Sequence, residues 1–184
     1  LYAKSKVKIE KFLLKKRKNL FKPTVFRFAT AFGLSDRMRY DLTINQFVLE
    51  MLVKREIEIY DHKTWRPYCH LKDFARLIYK AYTLDTNIIN RQVFNAGSTK
   101  NNYNKIQIAH AVKKYIKGKI KIIKESKDKR NYKVDFSKLE KKLGFRCFYG
   151  LDYGIRTILQ NLKKQKKSKL KKNFLLGNFK VINW

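Results

Sequence analysis

Thr24-Val-Phe-Arg-Phe-Ala-Thr-Ala-Phe-Gly33 is a run of β-branched and aromatic residues that begins just after Pro23 and closes on glycine, the pattern of a strand. Upstream of it, Ala3, Val7 and Leu14 fall on one side of a helix that opens with Tyr2-Ala-Lys-Ser-Lys6. Downstream, Ile44, Phe47, Val48, Met51 and Leu52 keep the i, i+3, i+4, i+7, i+8 spacing of a second helical face. Phe74, Leu77, Ile78, Ala81 and Tyr82 mark a third, and Ile108, Val112, Tyr115, Ile116 and Leu151, Ile155, Ile158, Leu159, Leu162 two more, with Gly118 and Gly144 as stops. Between them, Thr24 to Thr30, Glu56 to Tyr60, Gln92 to Asn95 and Lys119 to Ile123 read as short strands, and Tyr68, Cys69 and His70 fall in another. Helix and strand alternate, so the expected fold is α/β with an at least partly parallel sheet.

With 184 residues, 44% of them hydrophobic, the chain can bury one sizeable core. It opens with Leu1 in what reads as mid-helix, so it is taken as a fragment with sequence missing upstream. No stretch approaches the roughly 20 apolar residues of a membrane span, and no signal-peptide pattern precedes the first helix, so a cytoplasmic, membrane-free protein is expected. Cys69 and Cys147 have no metal-ligand spacing; neither a zinc site nor a disulfide framework is expected. The net charge of +31 would suit a polyanion partner, but lysine far outnumbers arginine and comes with abundant Asn, Ile, Tyr and Phe. That profile reads as codon bias spread over solvated faces, with Lys163 to Lys172 as the single dense run. Nucleic acid is therefore the alternative partner rather than the leading one. Phe174, Leu175, Leu176 and Phe179 are expected to pack back or to meet a partner.

A tyrosine can serve as a base only where a nearby cation lowers its pKa. Tyr2 and Lys6, four apart on a helix, share a face; Tyr68 with Lys72 and Tyr115 with Lys119 have the same spacing, so spacing alone does not choose among them. Arg66 and Arg130 are candidate anion ligands, each with a plain surface role as the alternative: stacking on Trp65, or solvation within Lys124 to Lys133. His70 reads as a hydrogen-bonded core residue, and Asp73 as the N-cap of a helix starting at Phe74. Asn45 reads equally well as an ordinary early-helix residue or as a ligand, while Asn95 and Gly97 shape a strand-to-loop turn. His62 and His110 stand alone.

The order of the motifs carries a resemblance. The Tyr2-to-Lys6 helix and the Thr24-to-Gly33 strand are followed by Asp36-Arg-Met-Arg-Tyr-Asp-Leu-Thr-Ile-Asn45 and Trp65-Arg-Pro-Tyr-Cys-His-Leu-Lys-Asp73. Val93-Phe-Asn-Ala-Gly97 and Asp128-Lys-Arg-Asn-Tyr-Lys-Val-Asp-Phe-Ser-Lys138 complete the series. Together they resemble the extended short-chain dehydrogenase/reductases of the NAD-dependent epimerase/dehydratase type, from the Tyr-x-x-x-Lys helix onward. The resemblance implies the C-terminal half of a Rossmann-type parallel sheet plus a small α/β substrate-binding domain. Residues 1–40 would be the remainder of the NAD-binding domain, 41–162 mostly the nucleotide-sugar region interleaved with late Rossmann strands, and 163–184 a basic tail. It further implies that Tyr2 transfers the proton, while Lys6 binds the nicotinamide ribose and depresses the tyrosine pKa. Phe32 would lie near the nicotinamide, and Asn45, Arg66 and Arg130 would hold the diphosphate of a nucleoside-diphosphate sugar. NAD is the implied cofactor, with NADP as the variant, and a homodimer through the tyrosine helix is the implied assembly.

The sequence departs from that family in having no Gly-rich turn for the dinucleotide pyrophosphate and no serine or threonine partner for the tyrosine, both of which would lie upstream of Leu1, and in having Phe32 where the family often has tyrosine. Two other readings stand beside the enzyme, a basic nucleic-acid-binding protein and a non-catalytic nucleotide-sugar-binding remnant. The 184-residue chain alone is expected to show no turnover; NAD reduction or sugar epimerisation by it would contradict this.

Overall fold

In the computed structural model, residues 1–15, 21–123, 130–166 and 168–170 are described. The Thr24-to-Gly33 run organises them by serving two sheets in succession. Its first part, β1 (Val25–Phe28), pairs in parallel with β5 (Val93–Ala96), Val25 opposite Val93 and Phe28 opposite Ala96. Ala29 donates its N–H to the Ala96 carbonyl at 3.0 Å, and from Thr30 the chain joins a different neighbour. There β2 (Thr30–Phe32) pairs in parallel with β4 (Trp65–His70), Phe32 opposite His70. The single strand expected over 24–30 is thus two strands joined at Ala29, because no one neighbour offers backbone partners along its whole length. On its other edge β4 takes β6 (Asn102–Asn104) in antiparallel register, and β3 (Glu56–Tyr60) pairs in parallel with β7 (Lys119–Ile123).

The helices follow the apolar spacing, with instructive departures. α2 (Thr43–Lys54) buries Ile44, Phe47, Val48, Leu49 and Met51, because α5 (Lys105–Lys113), α7 (Leu151–Lys163) and β3 enclose it. Each such apolar side chain contributes about 1.5–3 kcal/mol relative to exposure. α3 (Leu71–Thr83) buries Asp73, Leu77 and Ala81 but leaves Ile78 and Tyr82 exposed, so only a narrow strip of its expected apolar face is covered. α1 (Tyr2–Lys15) buries no residue; it is tethered by the Glu10 carboxylate, which accepts from Arg27 Nε at 2.9 Å and Nη2 at 2.6 Å, and by Arg91, which donates to the Leu14 carbonyl. α5 opens with a reciprocal cap between Asn104 and Gln107. The short α4 (Thr86–Ile89) and α6 (Ser137–Leu143) complete the set; Gly144 closes α6 in a left-handed conformation, whereas α5 stops at Lys113, ahead of Gly118. Two apolar clusters result. The larger joins α2, α5, α7 and β3, and the smaller joins Leu77, Phe94, Ala96, Leu139, Leu143 and Phe145.

Asp73 is not the cap expected of it. The helix starts at Leu71 and is capped by His70, whose Nδ1 accepts from the Lys72 N–H at 3.2 Å. Asp73 sits inside the first turn, fully buried, and accepts from the Phe148 and Tyr149 N–H groups at 3.0 and 2.9 Å and from Arg76 Nη1 at 2.6 Å. A carboxylate at a helix N-terminus with three further donors is stable out of water. No helix among the described residues is long and apolar enough to cross a membrane. The final segment with Phe174, Leu175, Leu176 and Phe179 lies outside the described residues, as do positions 167, 171 and 172 of the Lys163-to-Lys172 run; Lys163, Lys164, Lys166 and Lys169 of that run are exposed.

Glu50 is the opposite case. On the buried side of α2 its Oε1 accepts from Gln46 Nε2 at 2.8 Å, while Oε2 has no partner among the described residues. Burial therefore raises its pKa above the ordinary 4.5. The folded chain holds this proton more tightly than the unfolded chain, so the associated stability is fully present below about that ordinary value and is lost as pH rises through the folded one. Urea unfolding across pH 4–8 is expected to show a decline that Glu50→Gln removes, the variant being more stable at pH 7 by about 1 kcal/mol.

Candidate functional site

Three Tyr-x-x-x-Lys pairs compete in the sequence, and the fold separates them. Tyr68 lies in β4 and Lys72 in α3, with Tyr68 buried. Tyr115 follows α5, donates its hydroxyl to Asp152 at 3.0 Å, and is parted from Lys119 by the turn into β7. Tyr2 and Lys6 alone stand on one continuous helix, with the Lys6 ammonium 5.4 Å from the Tyr2 ring centroid. Tyr2 is 76% exposed, and Val7, Ile9 and Phe12 of the same helix are exposed too.

The second element is built on β4. Arg66 is half-buried; its Nη1 donates to the carbonyls of Trp65, at 2.8 Å, and of Arg130, and its guanidinium lies 5.0 Å from the Tyr132 ring centroid. The alternative role is stacking on Trp65; the ring under the guanidinium is that of Tyr132, while the Trp65 indole carries Lys133, whose ammonium is 3.8 Å from its centroid. Segment 130–135 is stitched alongside by Asn131 Oδ1 accepting from the Trp65 N–H at 3.0 Å and by the Asn102 side chain, which bonds both backbone groups of Val134 at 2.9 and 3.0 Å. Arg130 is exposed. The fold therefore brings together two arginines 64 positions apart through the backbone of one and the side chain of the other.

Asn95, inside β5, donates its side-chain amide to the Asp135 carbonyl at 3.2 Å. The Asp135 carboxylate accepts from Ser137 and Thr99, and the Ser137 hydroxyl above all holds its pKa below the ordinary value. The bend after the strand falls at Gly97 as expected, whereas Asn95 is still paired in β5, opposite Arg27.

The third element is the turn after β2. Asn45, buried in the first turn of α2, accepts from the Gly33 N–H at 3.2 Å and donates to the Arg39 carbonyl at 3.0 Å. Of its two expected roles the structure shows a backbone tie. The Phe32 ring is buried, edge-on to the His70 ring at 5.3 Å and pressed by α7 at Gly154. The ring expected near the nicotinamide is thus packed into the core. His70 is a core residue as expected, yet its Nε2 has no partner among the described residues, and burial lowers its pKa.

Two associations escaped sequence reasoning. Lys72 donates to the Tyr153 hydroxyl at 2.9 Å and lies over the rings of Tyr149 and Tyr153. The Cys69 and Cys147 sulfurs are 3.7 Å apart, with Asp73 close by. Both pairings span more than 75 positions, so no local spacing could announce them.

A model of the NAD dependent epimerase/dehydratase family matches residues 1–97. Similar solved structures include UDP-glucose 4-epimerase of Thermotoga maritima with UDP-glucose: 22% identity, TM-score 0.74, covering 89% of this chain and 53% of that one. ADP-L-glycero-D-manno-heptose-6-epimerase of Helicobacter pylori is similar at 17% identity and TM-score 0.72, covering 89% and 51%. dTDP-glucose 4,6-dehydratase of Bacillus anthracis in complex with NAD aligns at 18% identity and TM-score 0.62, covering 76% and 44%. At these identities the likeness is one of fold, and the chain spans about half the length of the structures it matches.

Gly33 has φ +119°, and a Cβ there would lie 2.5 Å from His70 Nε2. Gly33→Ala is expected to lower stability by about 2 kcal/mol or more through strain and overpacking, read as a lower urea midpoint with an unchanged slope.

Proposed function

The chain belongs to the NAD dependent epimerase/dehydratase family, and from that premise we propose that the whole protein acts on a nucleoside-diphosphate sugar, oxidising one sugar hydroxyl to a keto group as the first step of an epimerisation or dehydration. The observation that carries this reading is the placement of Tyr2 and Lys6 on one helical face, where the two other pairs of the same spacing are divided between elements. Tyr2 takes the proton of the sugar hydroxyl and returns one later in the cycle. Lys6, one turn on, supplies the cation that favours the phenolate and the donors that meet a ribose. NAD, or NADP in its place, supplies the hydride acceptor when bound. The exposed phenol and ammonium suit such a group; residues to seat its pyrophosphate are not among those described.

On the sugar-nucleotide side, Arg66 and Arg130 clamp the diphosphate. Arg66 Nη1 donates to two carbonyls, which fixes the plane of its guanidinium against Tyr132. Asn45 contributes by holding the turn at Gly33 rather than by reaching a ligand through its carbonyl oxygen. The exposed apolar residues Val7, Ile9 and Phe12 fit a homodimer that packs this helix against its copy.

The test uses the whole protein with NAD and a panel of UDP-, GDP-, CDP- and dTDP-sugars. One nucleotide sugar is expected to raise the melting temperature. Tyr2→Phe should cut kcat about 10²- to 10⁴-fold while keeping that thermal shift. Arg66→Ala should instead weaken binding roughly 10- to 100-fold. Full turnover by Tyr2→Phe would overturn the role of the tyrosine, and an undiminished thermal shift in Arg66→Ala would overturn that of the arginine.

A further inference from the structure

Cys69 and Cys147 lie on opposite sides of one seam of the molecule. Cys69 is in β4, opposite Ala31 of β2, with its side chain buried. Cys147 is in segment 145–150, between α6 and α7, and is half-buried. Their sulfurs are 3.7 Å apart. A disulfide needs about 2.05 Å, so closure calls for a shift of less than 2 Å, within the reach of a rotation about the Cys147 side chain and a small movement of its segment. That segment contains no strand or helix; its anchors are the Phe148 and Tyr149 N–H groups on Asp73, the Arg146 carbonyl accepting from Arg76 Nη1 at 3.3 Å, and the Arg146–Glu140 ion pair.

The two sulfurs differ in access. Cys147 lines a cavity of about 290 Å³ together with Gly97, Ser98, Lys100, Phe136 and Arg146, open to a small solute. Cys69 is closed to solvent, and its contact with the Cys147 sulfur, reinforced by burial, pushes its thiol pKa up, so it rests as the neutral thiol. This is the division expected of an attacking and a resolving cysteine. The nearby Asp73 oxygens do not convert the pair into a strong cation site, because they are already engaged by Phe148, Tyr149 and Arg76.

We propose that Cys69 and Cys147 form a reversible dithiol–disulfide site that reacts with low-molecular-weight disulfides of the glutathione class, independently of the sugar-nucleotide reading. The Cys147 thiolate attacks one sulfur of the small disulfide, forming a mixed disulfide and expelling one thiolate. Cys69 then attacks the Cys147 sulfur and passes its proton to the departing small-molecule thiolate, closing the intrachain bond and releasing the second half as a thiol. In total the protein dithiol is oxidised by two electrons and one small disulfide is reduced to two thiols. The bond would tie β4 to the segment that leads into α7 and would enclose the 78-position span between the cysteines.

The experiment treats the folded full chain with excess oxidised glutathione, alkylates remaining thiols, and maps peptides without reduction. Wild type is expected to lose both free thiols and to yield the Cys69 and Cys147 peptides linked to each other, with dithiothreitol restoring both. Cys69→Ser should hold one stable glutathione on Cys147, while Cys147→Ser should leave Cys69 unmodified. Stable glutathione on Cys147 of the wild type beside a free Cys69, two unreacted thiols, or links between separate chains would each overturn the proposal.

Discussion

A carboxylate withdrawn entirely from water must find its donors inside the protein, and Asp73 finds them on two elements that are distant in sequence. Its own helix supplies Arg76 and the N-terminal dipole, and the approach to α7 supplies the N–H groups of Phe148 and Tyr149. Much else depends on that bond set. It fixes where α7 begins, and so where Gly154 lets α7 press on Phe32 and His70. It also holds Cys147 against Cys69 and places Tyr149 and Tyr153 around Lys72. Removing the carboxylate would leave several donors unmet at the junction of β4, α3 and α7.

What could be read from the residues was whatever is periodic or local. The faces of α2 and α7, the bounds of β3 and β7, and Gly144 as a helix stop follow from apolar spacing and backbone preference. The order of short motifs was enough for the family, which a match over residues 1–97 supports. What could not be read was where an element meets others. The strand over 24–30 divides at Ala29 because its neighbours do, and Ile78 and Tyr82 stay exposed because little covers that side of α3. Asp73 looked like a cap because Asp is a common one, yet its role depends on a segment 75 positions away. The same holds for the sulfur pair, whose members share no local pattern.

The candidate site shows a similar division. Motif order pointed to Tyr2 and Lys6, and in the fold these two share one helix while the other two pairs of equal spacing are divided between elements. Arg66 and Arg130 do come together, though through a guanidinium and a carbonyl, so one arginine helps to seat the other. Asn45 and Phe32 turn out to be framework: an amide that ties the Gly33 turn to α2 and a ring that fills the space beneath it. Residues supporting a site from below carry the same letters as residues lining it, and only packing tells them apart.

The handover at Ala29 carries an evolutionary constraint. Because alternate strand positions face opposite sides, lengthening the 24–33 segment by a single residue would invert either the partners of β1 or those of β2, and no slack exists between the two pairings to absorb it. Descendants of this gene can therefore vary the length of surface connections such as 61–64 far more freely than this stretch. An alignment of such sequences should show substitutions here but almost no gaps.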